Sequence, residues 1–318
     1  MALIVKNENE YEDLLGLWSD LESGLGLLLS HPSSIQELRQ RVEQYDHWMQ
    51  DLLMHDPDVG LYLLFQLAII SPVGYSASHS LVCAVLCHLI SVEYALPEGE
   101  RNSLVRAALT MNIAMTALQD TLATQTQKPS TQQQQAIQAH ASQGAQMLEG
   151  MGVQDELWLK IIKLHHQEDL TDDPLAALAP PQRLAHILHL VDRYAAMISP
   201  RQSREGRSAA ESAQSILHSR SGPQSNIGQT LVRIVGVYPP GTFVMLDNQE
   251  LAVVTRRSST LNLPDVGIVI DARGTLIRPP RLHHTAGGSP LIQSALPATT
   301  LQERINHHLI LQLGTHCA

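Results

Sequence analysis

The sequence predicts a mainly α protein with a small β element near its C-terminus. Three observations predict it. The chain is rich in Leu and Ala and holds only two Phe in 318 residues. Apolar residues recur at helical spacing from about residue 10 to residue 217. From Tyr238 the pattern changes to short β-branched or apolar runs separated by turn residues.

Composition narrows the class. A chain of 318 residues holds two domains, or one large core with appendages. The net charge of −10 opposes a general nucleic-acid binder, whose footprint is a basic patch. No apolar run reaches the roughly 20 residues that span a bilayer. Met1 to Asn9 lacks the apolar core of a signal peptide. Cys83, Cys87 and Cys317 do not make a disulfide framework. A reducing cytoplasm is the simplest location.

Glu10 to Leu29 carries Leu14, Leu15, Leu17, Trp18, Leu21 and Leu25 as a helical stripe, which His31-Pro32-Ser33-Ser34 breaks. Ser33 or Ser34, with Glu37 as an acid three positions into the helix, is placed to cap a second helix through Leu38, Val42, Trp48 and Leu52. The pair predicts an antiparallel hairpin over 1–56, a packing or dimerising appendage. Val59 to Ile70 is nearly all apolar and predicts a buried helix. Gly74-Tyr75 interrupts, and Ser76 or Ser78 opens a helix running to about Tyr94. His79, Cys83 and Cys87 fall on one face of it at i, i+4 and i+8. They are either a His/Cys zinc site or small buried thiols facing the core.

Glu100 to Leu118 predicts one continuous helix. Ser130 and Gln133 have capping-box spacing ahead of a helix carrying His140 and Gly144. Leu157, Ile161 and Leu164 form a stripe ending at His165-His166. Adjacent histidines on a helix point about 100° apart, so both serve one site only if it lies over that helix end. Gln182 to Ile198 carries His186, His189 and Asp192, and the two histidines are taken as structural. Ser199 to Ser208 is an arginine-bearing loop, and a helix with Ala210, Ala213, Ile216 and Leu217 follows.

Thr242 to Leu246, Leu251 to Thr255, Val266 to Ile270 and Thr275 to Ile277 predict strands joined by hairpin turns. Pro279 to Thr300 predicts a mobile linker, and Leu301 to Leu313 a last short helix.

The order of these pieces resembles the HD-GYP family, a branch of the HD phosphohydrolase superfamily. The resemblance covers about residues 58 to 275. It rests on His79-Ser80, on Lys128-Pro129-Ser130 leading to His140-x-x-x-Gly144, and on His165-His166. It continues through Val191-Asp192-Arg193-Tyr194-Ala195 and Val237-Tyr238-Pro239-Pro240-Gly241-Thr242. Family members are helical metalloenzymes that typically hydrolyse cyclic di-GMP. The resemblance implies an HD-type helical core with an N-terminal helical hairpin and a small C-terminal β-hairpin element. The divisions are 1–56, the helical domain at 57–237, the β element at 238–280, and linker plus terminal helix at 281–318.

By the same resemblance, His140, His165 and His166 hold one metal position, with His79 and Asp192 near the other, for a divalent Fe, Mn or Zn ion. Arg201 and Arg204 fall where the family often carries basic residues that meet ligand phosphate. A guanidinium fork suits that role, and a solvated loop is the alternative. The departures are as informative. The family's His-Asp pair is replaced by Met111-Asn112, and its lysine by Met115. A glutamate one turn before the first histidine is replaced by Tyr75, and no Gly-Tyr-Pro follows His166. Asn112 offers a neutral carbonyl oxygen in place of the bridging acid, and a Met thioether is a poor ligand for Mn²⁺ or Mg²⁺. Asp120, two turns beyond Asn112, is no substitute.

Two functions compete. The first is a catalytically impaired regulatory or scaffold protein in bacterial cyclic-dinucleotide signalling, with a retained capacity for metal or cyclic di-GMP and a protein partner or homodimer through the N-terminal helices. The second is an active metal-dependent phosphohydrolase using a reduced metal site. Nucleic acid and membrane are not expected partners.

Overall fold

A computed structural model describes residues 9–70, 73–167, 174–199, 208–217, 223–260, 262–296 and 305–313. The expected hairpin is α1 (Asn9–Ser30) and α2 (Leu38–His55). Helix α1 buries Leu14, Trp18, Leu21, Leu25 and Leu28, and these join the same apolar core as the helices that follow. The turn between them differs from expectation. Pro32–Ser34 form a single 3-10 turn, and Glu37 stands before α2 with φ 54° and makes no side-chain cap. The helix starts at Leu38, so the acid lies outside it and no capping box forms.

Helix α3 (Pro57–Ile70) is apolar as expected. Asp56 caps it, accepting from the Asp58 and Val59 amides at 3.0 and 3.1 Å. Helix α4 (Tyr75–Glu93) is the centre of the fold. It packs on α1, α2 and α3 and on four of the later helices. Its most apolar 18-residue window has mean hydropathy 1.5, and 78% of that window is buried inside the protein. A helix apolar all round belongs in the middle of a helical core. Neither expected serine caps it. Gly74 precedes it at φ 137°, and the Ser76 amide donates to Asp120 Oδ1 at 2.8 Å. Asp120→Ala is therefore expected to lower stability by about 1 kcal/mol, read from the urea midpoint, with Asp120→Asn losing less.

The expected single helix over Glu100 to Leu118 is broken. Helix α5 (Glu98–Thr110) ends, Asn112 sits at φ −104°, ψ 11°, and a 3-10 turn over Ile113–Met115 leads into α6 (Thr116–Thr124). Asn favours such non-helical conformations. Helix α7 (Thr131–Gly150) passes close by, so that a Cβ at Gly144 would lie 3.7 Å from the Met111 carbonyl. The Ser130–Gln133 capping box forms in both halves. Helix α8 (Glu156–Leu164) is capped by Asp155, whose second oxygen accepts from Ser103 of α5 at 2.7 Å. Trp158 Nε1 donates to Thr110 Oγ1 at 2.9 Å and seats α8 on α5. Helices α9 (Pro180–Ile198), α10 (Ala209–Leu217) and α11 (Pro223–Val235) complete the bundle. The last was not anticipated, although Pro223 at its start and Ile227, Leu231 and Val235 at i, i+4 and i+8 carry its signal.

The β element is larger than a hairpin. Strands β1 (Phe243–Leu246), β2 (Leu251–Arg256), β3 (Asp265–Ile270), β4 (Leu276–His284) and β5 (Ile292–Leu296) form an antiparallel sheet in the order β4-β3-β2-β1-β5. The linker expected over Pro279 to Thr300, and the 281–318 segment built on it, are corrected to that extent: β4 runs through Pro279 and Pro280, and β5 pairs with β1. The prolines misled because they read as loop. At a sheet edge their missing N–H costs no ladder bond. Helix α12 (His307–Leu313) packs on β4, and its His307 Nδ1 lies 2.7 Å from the Tyr62 hydroxyl of α3.

The sheet is fixed to α3 by charge and by one glycine. Arg256 pairs with Asp56, and Arg257 Nε donates to Asp58 Oδ1 at 2.5 Å. Gly241 has φ 87°, and a Cβ there would meet the Tyr62 carbonyl at 2.9 Å. Gln66 donates to its carbonyl at 2.8 Å. The Tyr-Pro-Pro-Gly-Thr segment thus works as a close-packed joint between helices and sheet.

Candidate metal centre

Four helices converge to build the site. His79 comes from α4, His140 from α7, His165 and His166 from the turn that closes α8, and Asp192 from α9. The ligand atoms form two groups, His140-His165-His166 and His79-Cys83-Asp192, each with its atoms within 4.8 Å of one another. All five residues singled out in the sequence as metal ligands enter these groups.

In the first group the chain fixes the tautomers. His140 Nδ1 donates to the Ile137 carbonyl at 2.5 Å, and His165 Nδ1 to the Ile162 carbonyl at 2.6 Å. Each bond spans three residues along the chain, inside α7 for His140 and at the end of α8 for His165. The proton on Nδ1 leaves the Nε2 lone pair bare. Both Nε2 atoms are buried and have no hydrogen-bond partner among the described residues. The rings are close: His140 and His165 have centroids 5.3 Å apart, and His165 and His166 4.0 Å. Burial, followed by the neighbouring His166, pushes His165 down to about 3, and burial also lowers His140. Both are neutral at neutral pH, the form that binds a metal. Buried acceptors without partners are rare and costly. A divalent ion fits this donor set, because it would satisfy both lone pairs at once.

In the second group, His79 Nε2 lies 2.8 Å from Asp192 Oδ1 and 3.7 Å from Cys83 Sγ. His79 is 1% exposed and Tyr75 stacks on it, with centroids 5.3 Å apart. Burial alone would raise the Asp192 carboxyl. The hydrogen bond and charge of His79 outweigh it and hold Asp192 below the usual carboxylate range. Asp192 also interacts electrostatically with His140, His165 and His166, so the charge of its carboxylate reaches the first group.

Of the departures from the family pattern, Tyr75 stacks on His79. Met111 and Asn112 are buried at the break between α5 and α6, where Asn112's carbonyl accepts the Met115 amide at 2.8 Å. No Asp, Glu, His or Cys of 100–120 enters either group among the described residues. Asp120 instead caps α4. Arg201 and Arg204 lie outside the described residues. Of His79, Cys83 and Cys87, the first two fall in the second group together with Asp192 from α9, and Cys87 lies outside it. His189, taken as structural, has its Nδ1 2.8 Å from the His165 carbonyl and its ring 6.2 Å from His166.

No family model matches the sequence. It is similar to a cyclic di-GMP phosphodiesterase of Pseudomonas aeruginosa, 26% identical over 203 residues, which cover 63% of this chain and 49% of that protein. The chain thus spans about half the length of that curated relative. The fold is shared with a solved HDG"Y"P protein from Bdellovibrio bacteriovorus, at TM-score 0.50 and 13% identity over 71% of this chain and 72% of the other. With the helical core, the terminal antiparallel sheet and the histidine positions in place, the chain is a distant, HD-GYP-like relative of these proteins.

Proposed function

We propose that this protein is a catalytically impaired HD-GYP-like signalling protein that binds a divalent metal and, beside it, a cyclic dinucleotide such as cyclic di-GMP. The carrying observation is the contrast within one site. The histidine cluster presents two buried, unpartnered Nε2 atoms, whereas the neighbouring Met111–Met115 segment offers neither carboxylate nor cation.

When bound, a metal of this kind polarises phosphoryl oxygens and lowers the pKa of a coordinated water. His140, His165 and His166 would hold it, with Asp192 and His79 alongside. Binding draws on those five residues. Hydrolysis asks for more: a bridging acid to balance two dications, and a cation for the phosphate. Asn112 and Met115 supply neither. The dinucleotide is proposed from the similarity to the Pseudomonas enzyme and from the fit of two phosphates to a cationic centre. Arg201 and Arg204 are proposed as phosphate contacts, and the exposed Leu15, Leu17 and Leu27 of α1 as part of a contact with a protein partner or second copy.

The second reading, a phosphohydrolase with a reduced metal site, is favoured by the presence of all five candidate ligands within the two groups. Metal content by plasma mass spectrometry, followed by calorimetric titration with cyclic di-GMP, tests the proposal. About one divalent ion per chain and saturable binding of the metal-loaded protein support it. A metal-free protein that does not gain metal from Mn²⁺, Fe²⁺ or Zn²⁺ leaves the histidines as structural groups and ends it.

A further inference from the structure

We infer that Cys83 is a ligand of the second group, so that His79, Cys83 and Asp192 form a sulfur-containing pocket that selects a thiophilic divalent ion, zinc or cobalt, over manganese or magnesium. The inference rests on the metal-binding reading above and adds a ligand to it. It starts from placement. Cys83 is one helical turn beyond His79 on α4, and its Sγ lies 3.7 Å from His79 Nε2. A tetrahedral zinc with nitrogen at about 2.0 Å and sulfur at about 2.3 Å separates those two atoms by roughly 3.5 Å. The sulfur is therefore already at ligand–ligand distance, on a residue that is 0% exposed. The third atom, Asp192 Oδ1, is 2.8 Å from the same nitrogen and lies within 4.8 Å of the sulfur.

The donor set decides the ion. Nitrogen, carboxylate oxygen and thiolate together suit zinc and its tetrahedral analogue cobalt, whereas Mg²⁺ and Mn²⁺ prefer oxygen. In the metal-free protein Cys83 is a thiol, because burial, then the charge of Asp192, pushes it well up. Binding would replace the S–H bond by a sulfur–metal bond, and the thiol proton would pass to solvent base with no change of oxidation state. His79 would bind through Nε2 and carry its proton on Nδ1. That atom is buried without a partner in either tautomer, so the exchange adds no further unsatisfied group. Cys87 is a built-in control. It is equally buried, one turn further along α4, and outside the group.

The test is cobalt loading of the chelator-treated full chain, followed by absorption spectroscopy. A sulfur-to-cobalt charge-transfer band in the near ultraviolet, kept in Cys87→Ser and lost in Cys83→Ser, is the expected result. Zinc affinity should then fall about tenfold or more in Cys83→Ser, with manganese affinity nearly unchanged. Zinc-edge X-ray absorption of the wild-type chain gives a second readout free of any folding defect, with a sulfur scatterer expected at about 2.3 Å. Cobalt bound without the sulfur band, or a zinc shell of nitrogen and oxygen only, overturns the Cys83 inference while leaving the metal site intact. Absence of any bound cobalt or zinc overturns both.

Discussion

His165→Ala is expected to strip the protein of its first metal. After dialysis against a divalent ion and removal of the excess, metal per chain at that position should drop about tenfold or more, measured by plasma mass spectrometry. The residue supplies one of the two buried Nε2 atoms without a partner among the described residues, and its ring forms a triangle with those of His140 and His166. The same change leaves the Ile162 carbonyl without its donor. A stability loss of about 1–3 kcal/mol should accompany it, so circular dichroism must show a folded variant before the metal content is interpreted. His189→Ala separates positioning from ligation. Its Nδ1 contacts the His165 carbonyl, and losing such a support weakens metal binding by about 10-fold without abolishing it. A wild-type level of metal in His165→Ala would place the ion elsewhere.

The second large effect is a gain. The double variant Met111→His with Asn112→Asp is expected to create cyclic di-GMP hydrolysis in an inert parent. It returns an imidazole and a carboxylate to the break between α5 and α6, the stretch that by resemblance carries the family's His-Asp pair. The carboxylate offsets the charge of two metal ions, which a neutral amide cannot do, and paired ions clamp the attacking and leaving oxygens of the displacement. Product formation followed by chromatography, with Met111→His alone as control, checks it. Failure of the double variant to act while it binds more metal than the parent would shift the missing function to Met115 or to the absent glutamate at Tyr75.

Much of this fold was legible because helical cores write their pattern locally. The stripes of α1, α2, α8 and α9 and the capping box of α7 lie within a few residues of the atoms they organise. What was missed depends on distant partners. The break after Thr110 answers to α7 packing against Met111–Ala114, and no residue of that stretch announces it beyond Asn112. The cap of α4 comes from Asp120, 44 residues away, so the serines at its start misdirected the reading. The part of β4 beyond Ile277 was hidden by Pro279 and Pro280, which suggest loop in isolation and are tolerated at a sheet edge, and β5 by Pro290 just before it. The five candidate ligands were named from family resemblance rather than from spacing. Spacing alone relates His79 to Cys83 and Cys87 and says nothing of Asp192, which lies 113 residues away on α9.

The most direct test of the central claim is incubation of the metal-loaded wild-type chain with cyclic di-GMP, with the nucleotide recovered and separated by chromatography. Saturable binding with the dinucleotide recovered intact is the expected result. Linear product exceeding one molecule per chain, and lost in His165→Ala, would contradict it and identify a working phosphodiesterase with a reduced metal site.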